Sequence, residues 1–209
     1  TFFQPCVTKT PKHLSKPLTV YYKYHVGSYA SSVSIINDAK EAVPAGATTF
    51  GIFYDNPDLV PAHLLQSAIG VVFAEDGKDL YTETHSQNLI DLGFEKMNLP
   101  KVEKAVQAIQ PSTGGFLSIL ALVNRTYGIV KDYIAKERLE VKYAVEFYAE
   151  KEISIEFPLE NISEFVVPDY LPTDQLEANL AKKKFDSDEE DSESEPDGED
   201  VEDDGEKSE

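Results

Sequence analysis

Tyrosines and glutamates recur on the strand-like segments of this chain and could together bind a cation. Tyr22, Tyr24, Tyr54 and Tyr148 lie in aromatic runs, and Glu156 lies in a further run of alternating apolar residues. Tyrosine rings attract positive charge and a carboxylate neutralises it, so this set is typical of a pocket for a lipophilic cation. A carboxylate beside phenols could also polarise water for hydrolysis. The alternative is that the tyrosines only pack the sheet.

The remaining reactive residues form no recognisable catalytic motif. Glu146 could supply the carboxylate in place of Glu156. The sequence contains no P-loop, nucleophile elbow or dinucleotide fingerprint. The histidines lack the spacing of metal ligands; they are His13, His25, His63 and His85. We therefore expect no enzymatic activity, no cofactor and no metal site.

A proline-bounded corner follows the second strand-like run. Asp55 and Asn56 can hydrogen-bond their own backbone, and Pro57 and Pro61 each push the preceding residue out of helical geometry. The stretch predicts a rigid, shaped loop, which could form the rim of a groove or serve only as a structural turn.

The acidity of the chain is concentrated at its C-terminal end. Residues 185–209 hold 15 of the 38 acidic residues and one base, Lys207, so 23 acidic and 18 basic residues remain in the other 184. A net charge of −19 repels phosphate backbones, and no basic cluster is interleaved with aromatics. We expect no direct nucleic-acid binding. The single cysteine, Cys6, rules out an internal disulfide and suits a reducing compartment.

Three serines in the acidic stretch resemble kinase sites. Ser187, Ser192 and Ser194 each have an acidic residue three positions downstream, as acidophilic kinases prefer. Phosphorylation would add roughly 1.5 to 2 negative charges per site. The alternative is a solvated spacer.

The pattern of strands and helices predicts a duplicated unit. A strand, a helix and two strands are indicated over residues 18–76, and the same order recurs over residues 104–161. Such a repeat gives an α+β fold, an antiparallel sheet with both helices on one face. We expect the opposite face to remain open as a groove.

The domain boundaries follow from composition. Residues 1–17 contain three prolines and are predicted to be an extended linker. Residues 18–170 form the folded domain, and residues 171–184 a short helix or linker. Residues 185–209 have almost no apolar surface and are predicted to be disordered.

Several separate segments resemble the GyrI-like (gyrase-inhibitor-like) domain family. They are TVYYKYHVGSY, FGIFYDNPDLVP, SAIGVVFAE and DYIAKERLEVKYAVEFYAEKEISIEFPL. The resemblance spans residues 18–170, and the corner from Tyr54 to Pro61 is similar nearly residue for residue to that of a member anchored in the endoplasmic reticulum.

That resemblance implies a single-pass endoplasmic-reticulum membrane protein with a cytosol-facing domain and a disordered acidic tail. The implied role is a receptor in selective autophagy of the endoplasmic reticulum (reticulophagy). The implied partners are autophagosomal ubiquitin-like proteins and an AAA-type unfoldase acting in repair of topoisomerase–DNA adducts, with the nuclear envelope as a second location. Because the sequence starts at Thr1 rather than Met, we expect the membrane segment to precede it.

The family member's tail carries an aromatic-x-x-aliphatic motif that adds a strand to the autophagosomal protein and fills two apolar pockets. The nearest match here is Phe185-Asp186-Ser187-Asp188, in which Asp188 occupies the aliphatic position. A carboxylate at this position cannot fill the second apolar pocket, and removing it from water costs free energy. A functional motif therefore lies beyond Glu209, has been lost, or is replaced by another route.

The leading prediction is a membrane-tethered adaptor. The alternative is a GyrI-like small-molecule binder or hydrolase, with Glu156 and the tyrosines in the groove. A third possibility is a folding domain whose tail alone matters.

Overall fold

The computed structural model describes residues 3–113, 119 and 122–192. The contacts within the chain divide it into two compact units, Thr1–Tyr170 and Leu171–Glu209.

The described part of the first unit contains nine strands and three α-helices. The strands are β1 (Phe3–Thr8), β2 (Leu18–Val26), β3 (Thr49–Phe53), β4 (Gln66–Glu75), β5 (Lys78–Asp79), β6 (Glu95–Leu99), β7 (Ala105–Pro111), β8 (Ala144–Tyr148) and β9 (Glu152–Pro158). The helices are α1 (Val33–Ala42), α2 (Glu83–Asp91) and α3 (Tyr127–Lys136), the last preceded by a π-helical turn, Leu122–Thr126. Short 3₁₀ turns occupy Tyr29–Ser32, Ala62–Leu64 and Ile162–Phe165.

All nine strands belong to one antiparallel sheet in the order β1-β7-β9-β8-β3-β4-β2-β6, with β5 paired to β4. Strands β2, β3 and β4 with α1 form the first predicted unit, and β7, β8 and β9 with α3 form the second. The second strands of the two units, β3 and β8, pair at the centre of the sheet. The α+β class and the duplicated unit are therefore confirmed.

Strand pairing within the first unit depends on Gly70. Gly70 lies opposite Tyr22, and a Cβ atom added there would stand 1.8 Å from the carbonyl oxygen of Tyr21. No side chain fits at that distance, so only glycine allows β2 and β4 to approach this closely.

The helices cover one face of the sheet. Ala39 of α1 and Leu89 of α2 pack with Val71 and Phe73 of β4. Val130 of α3 packs against the β9 side of the same face. The prediction that the helices share one face is thus confirmed, and this burial supplies much of the apolar stabilisation of the sheet.

The opposite face is also covered, which contradicts the predicted open groove. Leu14, Val102 and Phe165, from three separate connecting segments, are each 0% exposed and pack on Phe50 and Phe147 of the central strands. Phe50 and Phe147 would cost several kcal/mol if left in water, so the chain uses its irregular segments to shield them.

Residues 9–17, here called the N-terminal strap, lie on that face. The backbone N–H groups of His13 and Leu14 donate to the Glu156 carboxylate at 3.0 and 2.9 Å, and the carbonyl oxygen of Leu14 accepts from Val102 N–H at 2.8 Å. Upstream, β1 pairs with β7. The prediction that residues 1–17 are an extended linker is therefore wrong for the described ones, which form an edge strand and the hydrogen-bonded N-terminal strap. Contacts with residues distant in the chain outweigh their proline-rich composition.

The second unit contains a helix, α4 (Thr173–Ser192). It continues past the predicted boundary at residue 184, so residues 185–192 are helical in the structure instead of disordered. No proline or glycine interrupts the chain between Thr173 and Ser192, and glutamate and lysine are good helix formers. The rest of the predicted tail, residues 193–209, lies outside the described residues.

Candidate functional site

The most unusual polar group of the first unit is Glu146, in the middle of β8. Its side chain points to the helix face, and Glu146 is 4% exposed. The phenol of Tyr127, from α3, donates to one carboxylate oxygen, and the phenol of Tyr148, two residues along β8, donates to the other. The strand and the helix thus build a buried carboxylate with two neutral donors.

Burial controls the ionisation of this cluster. Desolvation raises the pKa of Glu146, while the hydrogen bonds from Tyr127 and Tyr148 lower it. Desolvation and then the Glu146 charge raise the pKa of both phenols well above the usual value. No lysine or arginine contributes to these shifts, so the carboxylate lacks a cationic partner among the described residues. Such a group can hold a proton or accept a cation that displaces the phenols.

Further aromatic residues extend this cluster along the helix face. Tyr29 packs edge-on against Phe53 at 4.8 Å between ring centroids. Burial raises the pKa of Tyr29, and the charge of Glu146 also contributes. The sequence had identified Glu146 only as a substitute for Glu156. The signal that could have favoured it is its position between the aromatic pair Phe147-Tyr148 and the apolar Val145, which predicts a central strand.

The predicted ligand-binding residues do not come together. Tyr22, Tyr24 and Tyr54 belong to the face opposite the helices, whereas Tyr148 lies on the helix face beside Glu146. Glu156 is on the opposite face too, but its carboxylate is 0% exposed and occupied by the N-terminal strap and by Ser154 Oγ at 2.9 Å. The predicted pocket joining all five is therefore not formed.

Tyr54 instead belongs to a packed tyrosine cluster. Its ring centroid lies 5.2 Å from that of Tyr143 and 4.9 Å from that of Tyr170. Rings in direct contact leave no space for a cation between them. The Tyr54 phenol donates to Phe165 O at 2.9 Å and accepts from Val167 N–H at 3.2 Å, so Tyr54 fixes the segment that covers the sheet.

The corner after β3 is held by its own polar groups. The side-chain oxygen of Asn56 accepts from Asp58 N–H at 3.0 Å, and an Asp55 carboxylate oxygen accepts from Gln66 N–H at 2.7 Å. Pro57 lies inside this turn, and Pro61 precedes the 3₁₀ turn Ala62–Leu64. The corner is a shaped turn joining β3 to β4, and the groove that it was predicted to border is absent from the described part of the fold.

The three predicted phosphorylation sites are only partly within the described residues. Ser187 and Ser192 fall on the backbone of α4, and Ser194 lies outside the described residues. Within the described ranges, no group of histidine, cysteine and acidic side chains is arranged to hold a metal ion. The helices between residues 3 and 192, as far as they are described, include none long and apolar enough to cross a membrane.

Comparison with known proteins gives sequence relatives but no family model that matches the chain. Human testis-expressed protein 264 is 29% identical over 161 residues, covering 75% of this chain and 49% of that protein. The mouse homologue is 28% identical over 169 residues, covering 79% and 52%. The chain spans about half the length of the curated relatives it matches.

Two solved structures show a partial likeness. The EcmrR C-terminal domain has a TM-score of 0.45 at 15% identity, covering 74% of this chain and 96% of that one. A hydrolase from Listeria innocua has a TM-score of 0.42 at 10% identity, covering 74% and 91%. The sequence comparison is the informative one: over three quarters of its length the chain is similar to testis-expressed protein 264, which confirms the resemblance predicted from its motifs.

Proposed function

We propose that this chain is the cytosol-facing part of an endoplasmic-reticulum membrane protein that acts as an adaptor in selective autophagy of that organelle. The observation that carries the proposal is the similarity to testis-expressed protein 264 over 161 residues. The membrane tether and the autophagy partners are features that the predicted resemblance implies for the whole protein.

The architecture suits a docking role. Both faces of the central sheet are covered, so the first unit offers partners its rims and turns. The corner presents Leu59, which is 80% exposed, and the salt bridge between Asp58 and Lys131 of α3 connects the corner to the second repeat. Residues that bind partners often lie on loops that a rigid scaffold positions, as the sheet positions this corner.

The capture of an autophagosomal ubiquitin-like protein needs a route other than the predicted match at residues 185–188. These residues are helical, and strand addition requires an extended backbone. Asp188 also replaces the aliphatic anchor. Phe165-Val166-Val167 cannot replace this motif either, because Pro168 follows it in the aliphatic position and Phe165 and Val167 are 0% and 1% exposed.

The test is co-precipitation of the full-length protein with autophagosomal ubiquitin-like proteins from starved cells. We expect Phe185→Ala to leave binding unchanged, because the motif around it is incomplete. Loss of endoplasmic-reticulum turnover after depletion of the protein, restored by re-expression, would support the receptor role. Normal turnover without the protein would refute it.

The proposal includes recruitment of an AAA-type unfoldase through the acidic C-terminal stretch. A run of acidic side chains favours basic surfaces, and phosphorylation at Ser187, Ser192 and Ser194 would strengthen that preference. Co-precipitation of the unfoldase should weaken when the three serines are replaced by alanine, whereas the autophagosomal interaction should not change. Equal recovery of the unfoldase with and without these serines would contradict the phosphorylation step.

A second candidate function is that of a small-molecule binding protein that takes a lipophilic cation at Glu146, or of a hydrolase that uses this carboxylate. The buried carboxylate with two phenol donors and no cationic partner among the described residues favours it. The test is titration of the full chain with tetraphenylphosphonium. If the site binds cations, Glu146→Gln should abolish binding while Glu156→Gln, the matched control on the other face, retains it. Equal affinity in the two variants would exclude the site.

A further inference from the structure

Strand β2 has an outer edge that its neighbour covers only in part. It pairs with β4 along its whole length, but with β6 only from Leu18 to Tyr22. If the pairing of β2 with β6 continued in the same register, Gly93 would lie opposite Tyr24. Gly93 instead follows the end of α2 with φ +85° and donates its N–H to Ile90 O at 2.8 Å. The last four residues of β2 therefore continue without a strand on this side.

The backbone groups on that edge can be assigned from the pairing. Successive residues of an antiparallel strand point their N–H and C=O groups to opposite sides. Gly27 N–H donates to Leu65 O on the β4 side at 2.8 Å. Counting back along β2, His25 and Lys23 also point to β4, whereas Val26 and Tyr24 point to the open edge. Among the described residues, none forms a hydrogen bond with the backbone groups of Tyr24 or Val26.

One face of this edge is aromatic and negatively charged. Tyr22 and Tyr24 share that face, and Glu95 accepts from the Tyr22 phenol at 3.5 Å. Burial, and after it the charge of Asp169, raises the pKa of Tyr24 to about 12. On the other face, Lys23 forms an ion pair with Asp38 at 3.1 Å, so its charge is already neutralised.

We propose that the edge of β2 from Lys23 to Val26 docks an extended segment of a partner protein, which adds as a strand and places a lysine or arginine against Tyr24. Unpaired backbone groups on a sheet edge are a template for strand addition. A cation opposite Tyr24 would meet an aromatic ring with Glu95 and Asp169 nearby, so the charge selects a basic segment. This proposal goes beyond the receptor role and does not depend on it.

The test follows residue-resolved amide hydrogen exchange of the full chain with two decapeptides, one alternating arginine and valine and one alternating glutamate and valine. In the free chain we expect the Tyr24 and Val26 amides to exchange rapidly and those of Lys23 and His25 to be protected by β4. Saturating arginine peptide should slow exchange at Tyr24 and Val26 by about tenfold or more. The glutamate peptide should have no effect.

Two variants separate the backbone and charge contributions. Val26→Pro removes an N–H that the fold does not use, so the chain should remain folded while arginine-peptide binding falls about tenfold. The double variant Asp169→Asn, Glu95→Gln should bind the arginine peptide roughly two- to fivefold more weakly, as expected for the loss of exposed charge pairs.

Three results would overturn the proposal. They are protection of Tyr24 and Val26 in the free chain at every concentration, equal binding of the acidic and basic peptides, and protection that rises with chain concentration without peptide. The last result would assign the edge to a second copy of the chain. Because the measurement uses no autophagy readout, its failure would leave the receptor role to be judged separately.

Discussion

Single ionisable side chains in the interior of this protein should make its stability depend on pH in opposite directions. Glu146 is buried with a raised pKa, whereas burial and then the charge of Lys12 lower the pKa of His13 to about 4. His13 stacks on Phe147 at 4.3 Å between ring centroids. Each residue can be tested by a variant that keeps its shape and removes its titration.

For Glu146, the folded chain holds a proton at pH values where the unfolded chain has lost it. This contribution to stability is present below the unfolded pKa of 4.5 and is lost as pH rises through the raised folded pKa. We expect the free energy of unfolding of Glu146→Gln, relative to the unsubstituted chain, to increase as the pH rises above 4.5. Urea denaturation at several pH values measures it. A difference that stays constant with pH would contradict the prediction, and the exposed Glu83→Gln serves as the control.

For His13, the unfolded chain takes up a proton that the folded chain resists. The contribution is present above the unfolded pKa of 6.5 and is lost as pH falls towards about 4. As the pH falls from 6.5 to about 4, we expect the free energy of unfolding of His13→Phe to rise by up to about 3 kcal/mol relative to that of the unsubstituted chain. The exposed His63→Phe is the matched control. Parallel pH profiles for His13→Phe and the unsubstituted chain would rule out the buried neutral imidazole.

At the scale of elements, the N-terminal strap is part of the core. Leu14 is 0% exposed, so we expect Leu14→Ala to lower the free energy of unfolding by about 2–5 kcal/mol. The exposed Lys9→Ala should change it by less than about 0.5 kcal/mol. Thermal or urea denaturation distinguishes them. If residues 1–17 were a linker, both variants would unfold like the unsubstituted chain.

The strap also shows which elements the sequence can predict. The strands β2, β4 and β9 are rich in valine, isoleucine and aromatic residues, and the predicted order of strands and helices follows from that local pattern. The cover of the opposite face has no such pattern. It depends on Leu14 and Phe165 reaching strands far away in the chain and on the Glu156 carboxylate meeting two backbone N–H groups, which proline-rich composition does not reveal.

The candidate site was predicted only in its chemistry. Tyrosine, glutamate and strand alternation predicted a carboxylate beside phenols in a groove on the open face. In the structure two phenols lie at Glu146 on the helix face, whereas Glu156 binds backbone N–H groups and Ser154 on the opposite face. The two residues both lie on central strands, and the choice between them requires knowing which face α3 covers and which face the N-terminal strap covers. Those are properties of the assembled sheet.

At the scale of the whole molecule, the two repeats should unfold together. They meet where Phe50 of β3 pairs with Phe147 of β8, and both side chains are 0% exposed. We expect Phe147→Ala to destabilise the chain by about 3–5 kcal/mol and to speed amide exchange equally in β4 and β9. The exposed Val33→Ala is the control. Faster exchange confined to β9 would mean that the repeats unfold separately.

The pairing of β3 with β8 also bears on how such a chain could arise. Each repeat contributes its equivalent strand to the centre, in antiparallel register, as two identical subunits would across a twofold axis. A half-length polypeptide with one such unit would present this strand for pairing with a second copy of itself. The two units nevertheless differ in what they carry: the second holds Glu146 between two tyrosines, and the first holds the partly paired edge of β2.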